Sequence, residues 1–400
     1  MMTVPFFLPC FATSDADPLY ETSFIFDPDK EDHGHVHASC IVECPHGDLI
    51  ACWYENGDKL PEGFYAKDRD KSDDVRIGGS RRTAGSEEWN PPFVMADTYG
   101  VSDNNPCMVV DQQDRLWLFH PTLLCVPETS WGSAILQYYI STDYQDSGPP
   151  RWEYQNILVA RPRGFIEAYL APLSKVAQKG ELTEEQWEKE RSAAEDRFKD
   201  PFKTRLGWMS RAHPLIRSDG ALLLPLANEN FGLAAMAITQ DAGLTWEFSM
   251  AVPLRGLTQP TVVEISDGHL MAFFRNSFPV RRIYHSQSRD AGMTWSEAVP
   301  TVLPHLGSGI EAIKLQNGRI LMIYNDKTEG PRDSLAVSLS EDRGETWPYT
   351  RHLEKDPGGR FDYPSVIQAK DGTLHATYSY HLRTIKHVHF NERWIEAGDR

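Results

Sequence analysis

Positive charge is scarce in this chain: 40 Lys and Arg stand against 57 Asp and Glu, for a formal net charge of −17. Polyanion binding needs a basic footprint that displaces counterions, so nucleic acid and anionic membrane surfaces are excluded as natural partners. An acidic small substrate would have to be held by local arginines against the field of the whole molecule. Long apolar runs are also missing; none reaches the roughly 18–20 residues that cross a bilayer. The opening MMTVPFFLPCFA is apolar but has no basic leader and is broken by prolines, which makes it a poor secretion signal and points to a cytoplasmic location. Cysteine is sparse and unpatterned. Cys10, Cys40, Cys44, Cys52, Cys107 and Cys125 form no CxxC pair, and four of them sit in apolar runs, as buried free thiols do. No cofactor is expected.

What the chain does contain is repetition. TQDAGLTW (239–246), SRDAGMTW (288–295) and SEDRGETW (340–347) share one pattern, Ser/Thr-x-Asp-x-Gly-x-Thr-Trp. STDYQDSGPPRW (141–152) is an expanded version, and SRRTAGSEEW (80–89) keeps the Gly and Trp without the Asp. Around these lie six stretches that read as apolar run, tight turn, apolar run: 39–54, 105–120, 213–227, 259–275, 309–324 and 362–380. Their turn markers are Gly47, Asp114, Gly220, Gly268, Gly318 and Gly372. The last four recur every ~50 residues, the length of a four-stranded propeller blade. The fold expected is therefore all-β, a six-bladed propeller of four-stranded antiparallel blades occupying 1–400 as one domain.

The wide gap between Asp114 and Gly220 holds a charged, Ala/Glu/Lys-rich stretch at 174–200. Its LTEEQ places a Thr N-cap three residues before a Gln, so it is expected to be a helical surface insertion. Closure of the ring is expected where the N-terminal TSFIFD (22–27) lies beside 385–395 and removes a free edge. Each repeated Trp should fill the space between blades. Asp241, Asp290 and Asp342 should bind their own turns, which makes them poor catalytic candidates.

On these repeats the chain resembles the sialidase (neuraminidase) superfamily, six-bladed propellers that carry the same Asp-box turns. The resemblance implies an enzyme that binds a sugar carboxylate with three arginines, attacks with a Tyr assisted by a Glu, and uses an Asp as acid/base. It places the second arginine at Arg275 in VVEISDGHLMAFFRN, the third at Arg332 in PRDSLAVSLSEDRGETW, and the tyrosine at Tyr363 in DYPSV. It also exposes departures. His37 stands in HVHASCIVE where the first arginine is expected, and Gln259 in TQPTVVE stands near the expected glutamate. The acid/base Asp falls in KDRDKSDDV, which offers Asp68, Asp70, Asp73 and Asp74.

In such a propeller the starts of the innermost strands converge on one mouth of the channel. That brings together His37, Asn104, Asn105, Arg211, His213, Gln259, Glu311 and Tyr363, with Arg275 and Arg332 arriving from strand ends. Paired guanidiniums make a planar clamp for a carboxylate that Lys could not imitate. Two chemistries use the clamp. In one, Tyr363 attacks an anomeric carbon; a phenol of pKa ~10 needs a base, for which Glu311 is the candidate, with Asp70 or Asp74 as leaving-group acid. In the other, the clamp acidifies the C5 proton of a uronic acid, and His37 or Tyr363 removes it in a β-elimination; a rhamnosidase-type enzyme relying on His37 stands beside this lyase reading. Arg211, His213, Asn105 and Gln259 would contact substrate. A glycan-binding propeller without turnover is the third reading, kept open by His37 and Gln259. The partner in every case is a glycan, probed through sialic or uronic acid. His33, His35 and His37 alternate and so should share one strand face, but no Cys or acid completes a metal site, and none is expected.

Overall fold

The computed structural model describes residues 17–57, 70–124, 130–161 and 163–399; Cys10, Asp68 and Cys125 lie outside them. Six antiparallel sheets follow one another along the chain, each a blade of the propeller. Blade 1 runs through His37–Glu43, Leu49–Asn56, Val75–Arg82 and Phe93–Ala96. Blade 2 uses Cys107–Val110, Leu116–Leu123, Ala134–Ser141 and Tyr154–Leu158, with Ser102–Asp103 extending its inner edge. Blade 3 comprises Leu215–Ile216, Leu222–Asn228, Leu233–Thr239 and Glu247–Phe248, with Trp208–Met209 added inside. Blade 4 comprises Leu257–Ser266, His269–Asn276, Arg282–Ser288 and Val299–Pro304. Blade 5 comprises Glu311–Lys314, Ile320–Tyr324, Ser334–Ser340 and Tyr349–Lys355. In blade 6, Phe361–Gln368, Leu374–Tyr380 and Thr384–Phe390 are completed by the N-terminal Tyr20–Phe24. That last pairing, Thr22 opposite Val388, is the closure read from the sequence.

The local reasons are the ones the repeats announced. All six turn markers have positive φ, from 56° at Asp114 to 91° at Gly47, which a two-strand reversal of this kind requires. Strands with a blade on either side are covered on both faces and read as unbroken apolar runs. In Leu222–Asn228 every residue is buried. Leu222, Leu224 and Leu226 pack with blades 1 and 2, whereas Leu223 packs toward blade 4. Truncating one of these leucines to Ala would cost about 2–5 kcal/mol.

The Asp-box residues behave as turn locks. Asp241 Oδ1 accepts the Thr245 amide (2.8 Å) and its Oδ2 the Thr245 hydroxyl (2.6 Å); Asp290 and Thr294 repeat the arrangement. Each repeated Trp leans on the preceding blade. Trp246 meets Trp117, Phe119 and Tyr138 of blade 2, and Trp347 meets Phe273 of blade 4. Even the degenerate copies do so, since Trp152 donates to Met95 O (2.7 Å) and Trp89 abuts His387.

The helical insertion is longer than its charged stretch. Three helices, α1 (Phe165–Gln178), α2 (Glu184–Phe198) and α3 (Pro201–Arg205), rest on blade 3. Thr183 and Gln186 form the capping box at the start of α2. The start of α1 escaped the sequence because FIEAYLAPL is apolar and carries Pro172, so it lacks the composition of a surface helix. That apolar face is the anchor: Phe165 packs against Phe198, Trp208 and Phe231.

Candidate active site at the mouth of the central channel

The inner strands begin at one rim of the channel, and there the backbone departs from regular β structure. Ala38, Asn105, Gln259 and Tyr363 adopt φ of 57°, 38°, 44° and 50°. That left-handed conformation costs a non-glycine residue about 1–2 kcal/mol. In blades 1, 4 and 6 it coincides with a slip in the ladder, from His37 to Cys40, Thr258 to Thr261 and Asp362 to Ser365. An extra residue at a bulge bends the strand and re-aims its side chain. Asn105, Gln259 and Tyr363 each precede a proline, which cannot donate to a ladder. This X-Pro repeat was a sequence signal for the rim.

Tyr363 is the centre of the arrangement. Its hydroxyl accepts hydrogen bonds from Arg275 Nη1 (2.6 Å) and Gln259 Nε2 (3.1 Å), while Gln259 Oε1 accepts from the same Arg275 nitrogen (3.1 Å). The guanidiniums of Arg211, Arg275 and Arg332 lie 5.7, 5.7 and 5.8 Å from the ring centroid, within cation–π range. His37 presents an edge to the same ring at 4.2 Å between centroids, and its Nδ1 hydrogen-bonds Ser379 Oγ (2.8 Å). Burial pushes the His37 imidazole down to a pKa of about 3, against the opposing pull of Asp362. It is therefore a neutral ring.

The buried carboxylate of Asp362, beside Tyr363 in sequence, holds two arginines: Arg332 Nη1 on Oδ1 (2.5 Å) and Arg360 Nε on Oδ2 (2.6 Å). Burial alone would raise its pKa, but the guanidiniums of Arg332 and Arg360 oppose that, and it stays below the usual carboxylate value. Neither Asp362 nor Arg360 was singled out in the sequence, although Asp362 opens DYPSV and Arg360 lies two residues before it. Tyr54, buried near the end of its strand, stacks on His35, meets His37 edge-on and was also missed. Burial raises its pKa well above the ordinary value, and the charges of Asp70, Tyr363 and Asp362 add to that. The Asp70 carbonyl accepts from Asn104 Nδ2 (2.8 Å), tying the loop to blade 2. Asp74 faces elsewhere, its carboxylate accepting from Asn56 Nδ2 (3.0 Å) and from Ser72. Asp73 is buried.

Three expected substrate contacts and one expected base have other partners. Arg211 spans the channel, donating from Nη1 to Pro364 O (2.8 Å) and from Nη2 to Ile310 O (2.5 Å). Its carbonyl partners leave it a scaffold beneath Tyr363. Glu311, expected beside the Tyr363 hydroxyl, spends Oε1 on His213 (2.7 Å to the amide, 2.9 Å to Nδ1) and Oε2 on the Val366 amide (3.0 Å). His213 turns its other nitrogen to Ile41 O (2.7 Å), so it too is engaged within the protein. Asn105 is buried, with its carbonyl accepting from Ser210 Oγ (3.1 Å). The physical reason is depth: Glu311 meets Val366, three residues or about 10 Å along the strand from Tyr363.

Of the alternating histidines, His35 and His37 stay together, with ring centroids 5.7 Å apart, whereas His33 leaves them, because the strand begins only at His37. His33 Nδ1 pairs with Glu55 Oε2 (2.9 Å), and that bond raises its pKa. The His35 amide donates to Asn56 Oδ1 (2.8 Å). Among the described residues no three His, Cys, Asp or Glu side chains gather as a metal site.

Comparison with known proteins agrees with this architecture. A family model described as BNR repeat-like domain matches residues 59–183 and 176–376. The chain belongs to that family, within the sialidase superfamily of propellers. A sialidase of Micromonospora viridifaciens is 20% identical over 395 residues, which is 95% of this chain; the chain spans 55% of that protein's length. Among solved structures, the Hadza microbial sialidase Hz136 superposes with a TM-score of 0.67 at 17% identity, covering 94% of this chain and 69% of that one. The NanB sialidase from Streptococcus pneumoniae gives 0.66 at 12% identity, covering 93% and 71%. At these identities the solved structures establish the fold.

Proposed function

We propose that this BNR-repeat propeller is a carbohydrate-active enzyme, an exo-acting glycosidase of the sialidase type that removes a terminal acidic sugar from a glycan. The observation that carries the reading is the Tyr363 hydroxyl, held at the channel mouth by Arg275 (2.6 Å) with Arg332 on the ring's flank. A neutral nucleophile beneath guanidiniums suits an anionic substrate, since it adds no repulsion while the cations receive the carboxylate. Arg275 and Arg332 take that carboxylate; Arg211 is buried and tied through Nη1 and Nη2 to the Pro364 and Ile310 carbonyls, so it supports Tyr363 from beneath.

The reaction follows from those positions. Tyr363 Oη bonds to the anomeric carbon as the glycosidic C–O bond breaks, and the leaving oxygen takes a proton from Asp70. The phenolic proton passes to solvent at the mouth, because Gln259 orients the oxygen but has no basic site for it. Water then cleaves the tyrosyl–sugar bond, Asp70 receiving its proton, and the departing phenolate of Tyr363 takes back a proton from solvent. His37 packs against the tyrosine as a neutral edge and fixes its ring. Tyr363 in its strained backbone position is held ready for in-line attack.

A panel of sialylated and uronate-containing glycans tests the reading, with released sugar measured directly. Free sialic acid, lost in Tyr363→Phe while glycan binding persists, supports it. The substitution of Gln259 for an acid favours one competing outcome, glycan retention without any release, and that result overturns the hydrolase.

A further inference from the structure

Deeper in the channel lies a cluster that the proposed reaction does not use. Cys40, on the inner strand of blade 1, has its sulfur 3.3 Å from His213 Nε2 and 3.2 Å from the Met108 amide, which donates to it. The protonation of His213 follows from its partners. Nδ1 faces the Glu311 carboxylate (2.9 Å) and Nε2 faces the Ile41 carbonyl (2.7 Å), two groups that only accept. Both ring nitrogens must therefore carry protons, and Cys40 lies against an imidazolium. Directly across the antiparallel ladder stands Cys52, in register with Cys40, and paired residues project from the same face of a sheet. Cross-strand partners fall within the Cα separations a disulfide can span.

We propose that Cys40 and Cys52 form an oxidisable dithiol beside the central channel, with Cys40 attacking a hydroperoxide and Cys52 resolving the product. The groups facing Cys40 are His213 from blade 3, Glu311 from blade 5, Cys52 from its own sheet and, beyond them, Cys107 of blade 2 with Arg211 at its side. The other buried thiols behave ordinarily: burial pushes Cys44 up to about 12 and raises Cys52 and Cys107. Burial acts on Cys40 too, but the Cys52 hydrogen bond and the His213 charge outweigh it and bring its thiol down to about 5. Thiolate, not thiol, is the nucleophile. Cys40 and Cys52 are themselves buried, and the route for a small peroxide is by way of His213, which lines a cavity of about 440 Å³ with Leu215, Val263, Ala312 and Lys314.

The chemistry balances with hydrogen peroxide as oxidant. The Cys40 thiolate bonds to one peroxide oxygen as the O–O bond breaks, giving sulfenic acid; the departing hydroxide takes a proton from His213, later replaced from solvent. The Cys52 sulfur then attacks the sulfenic sulfur, the S–O bond breaks, and the hydroxyl leaves as water with the Cys52 proton. Two thiol sulfurs lose two electrons and one peroxide becomes two waters.

Treating the folded full chain with hydrogen peroxide and mapping peptides by mass spectrometry tests this. The expected product is a peptide pair joined through Cys40 and Cys52, formed equally in Cys107→Ser. Cys52→Ser should instead accumulate a Cys40 sulfenic acid that a dimedone probe captures. In wild type, Cys40 labelling by iodoacetamide should change less than ~2-fold between about pH 6 and about pH 8, where an ordinary thiol of pKa ~8.5 gains ~70-fold. An unlinked folded chain whose denatured thiols all react, or a labelling rate that follows the ordinary thiol, overturns the proposal. The wild-type measurements decide the matter even if a variant fails to fold.

Discussion

Replacing Gln259 with Glu places a proton acceptor where the tyrosine now lacks one. The side chains are isosteric, and the left-handed backbone at Gln259 (φ 44°) need not move. In the native chain Gln259 Nε2 donates to Tyr363 Oη at 3.1 Å. In Gln259→Glu a carboxylate oxygen occupies that place and accepts the phenolic proton instead. A positioned base contributes about 10²–10⁴-fold to rate, so kcat should rise at least ~100-fold. A cost arises at the other oxygen, 3.1 Å from Arg275, where the new charge competes with the substrate's carboxylate. A charge-assisted hydrogen bond is worth about 1.5–3 kcal/mol, which corresponds to a KM higher by ~10–150-fold. The two effects oppose each other in kcat/KM, so the diagnostic is the split, read with a fluorogenic sialoside over a full substrate range. Adding Tyr363→Phe must remove the gain, since both residues act on one proton. A kcat that is unchanged or lower in folded Gln259→Glu refutes the assignment of Tyr363 as nucleophile.

Three further outcomes follow from the site. Arg332→Ala should raise KM for an acidic sugar by ~10–150-fold, and Arg332→Lys should not restore it, because an ammonium lacks the planar fork; unchanged KM in saturation kinetics argues against the clamp. Glu311→Ala leaves the His213 imidazolium buried without its counter-ion and should cost about 3–5 kcal/mol of stability in denaturant unfolding; unaltered stability with a collapsed kcat would return Glu311 to catalysis. Burial holds His37 and His375 at about 3 and His305 at about 4 when folded. The unfolded chain, with histidine pKa of about 6.5, then binds more protons throughout that interval. Stability should therefore fall as pH drops from about 6.5 toward 3, by up to about 1.4 kcal/mol per pH unit for each histidine, and stay independent of these groups above it. Denaturant midpoints that do not move between about pH 7 and about pH 4.5 contradict the burial of these rings as neutral bases.

Much of the fold was legible because its signals are local. The Asp-Gly turns, the alternating runs and the Thr183–Gln186 capping box each act within a few residues, and a ring of like blades repeats them. The limits of legibility are equally physical. Helix α1 was hidden because its apolar face belongs to a contact with Trp208 and Phe231 that no local pattern describes. Within the site, Tyr363, Arg275 and Gln259 could be named from motif and order, and the structure brings them within hydrogen-bonding distance. Asp362 and Arg360 went unnamed because a carboxylate's meaning depends on what it neutralises.

By itself, then, the sequence determined which residue types line the channel, since strand order and turn spacing set which strand is innermost in each blade. It could not determine who touches whom there. Glu311 and Tyr363 begin neighbouring inner strands, yet one bulge and about 10 Å of depth separate the carboxylate that binds His213 from the hydroxyl that binds Arg275. Cys40, ordinary as one thiol among six, gains its setting only when the closed ring carries His213 across from blade 3. Hydrogen bonds and ion pairs discriminate over fractions of an ångström, and only the closed ring of blades sets distances between residues hundreds of positions apart.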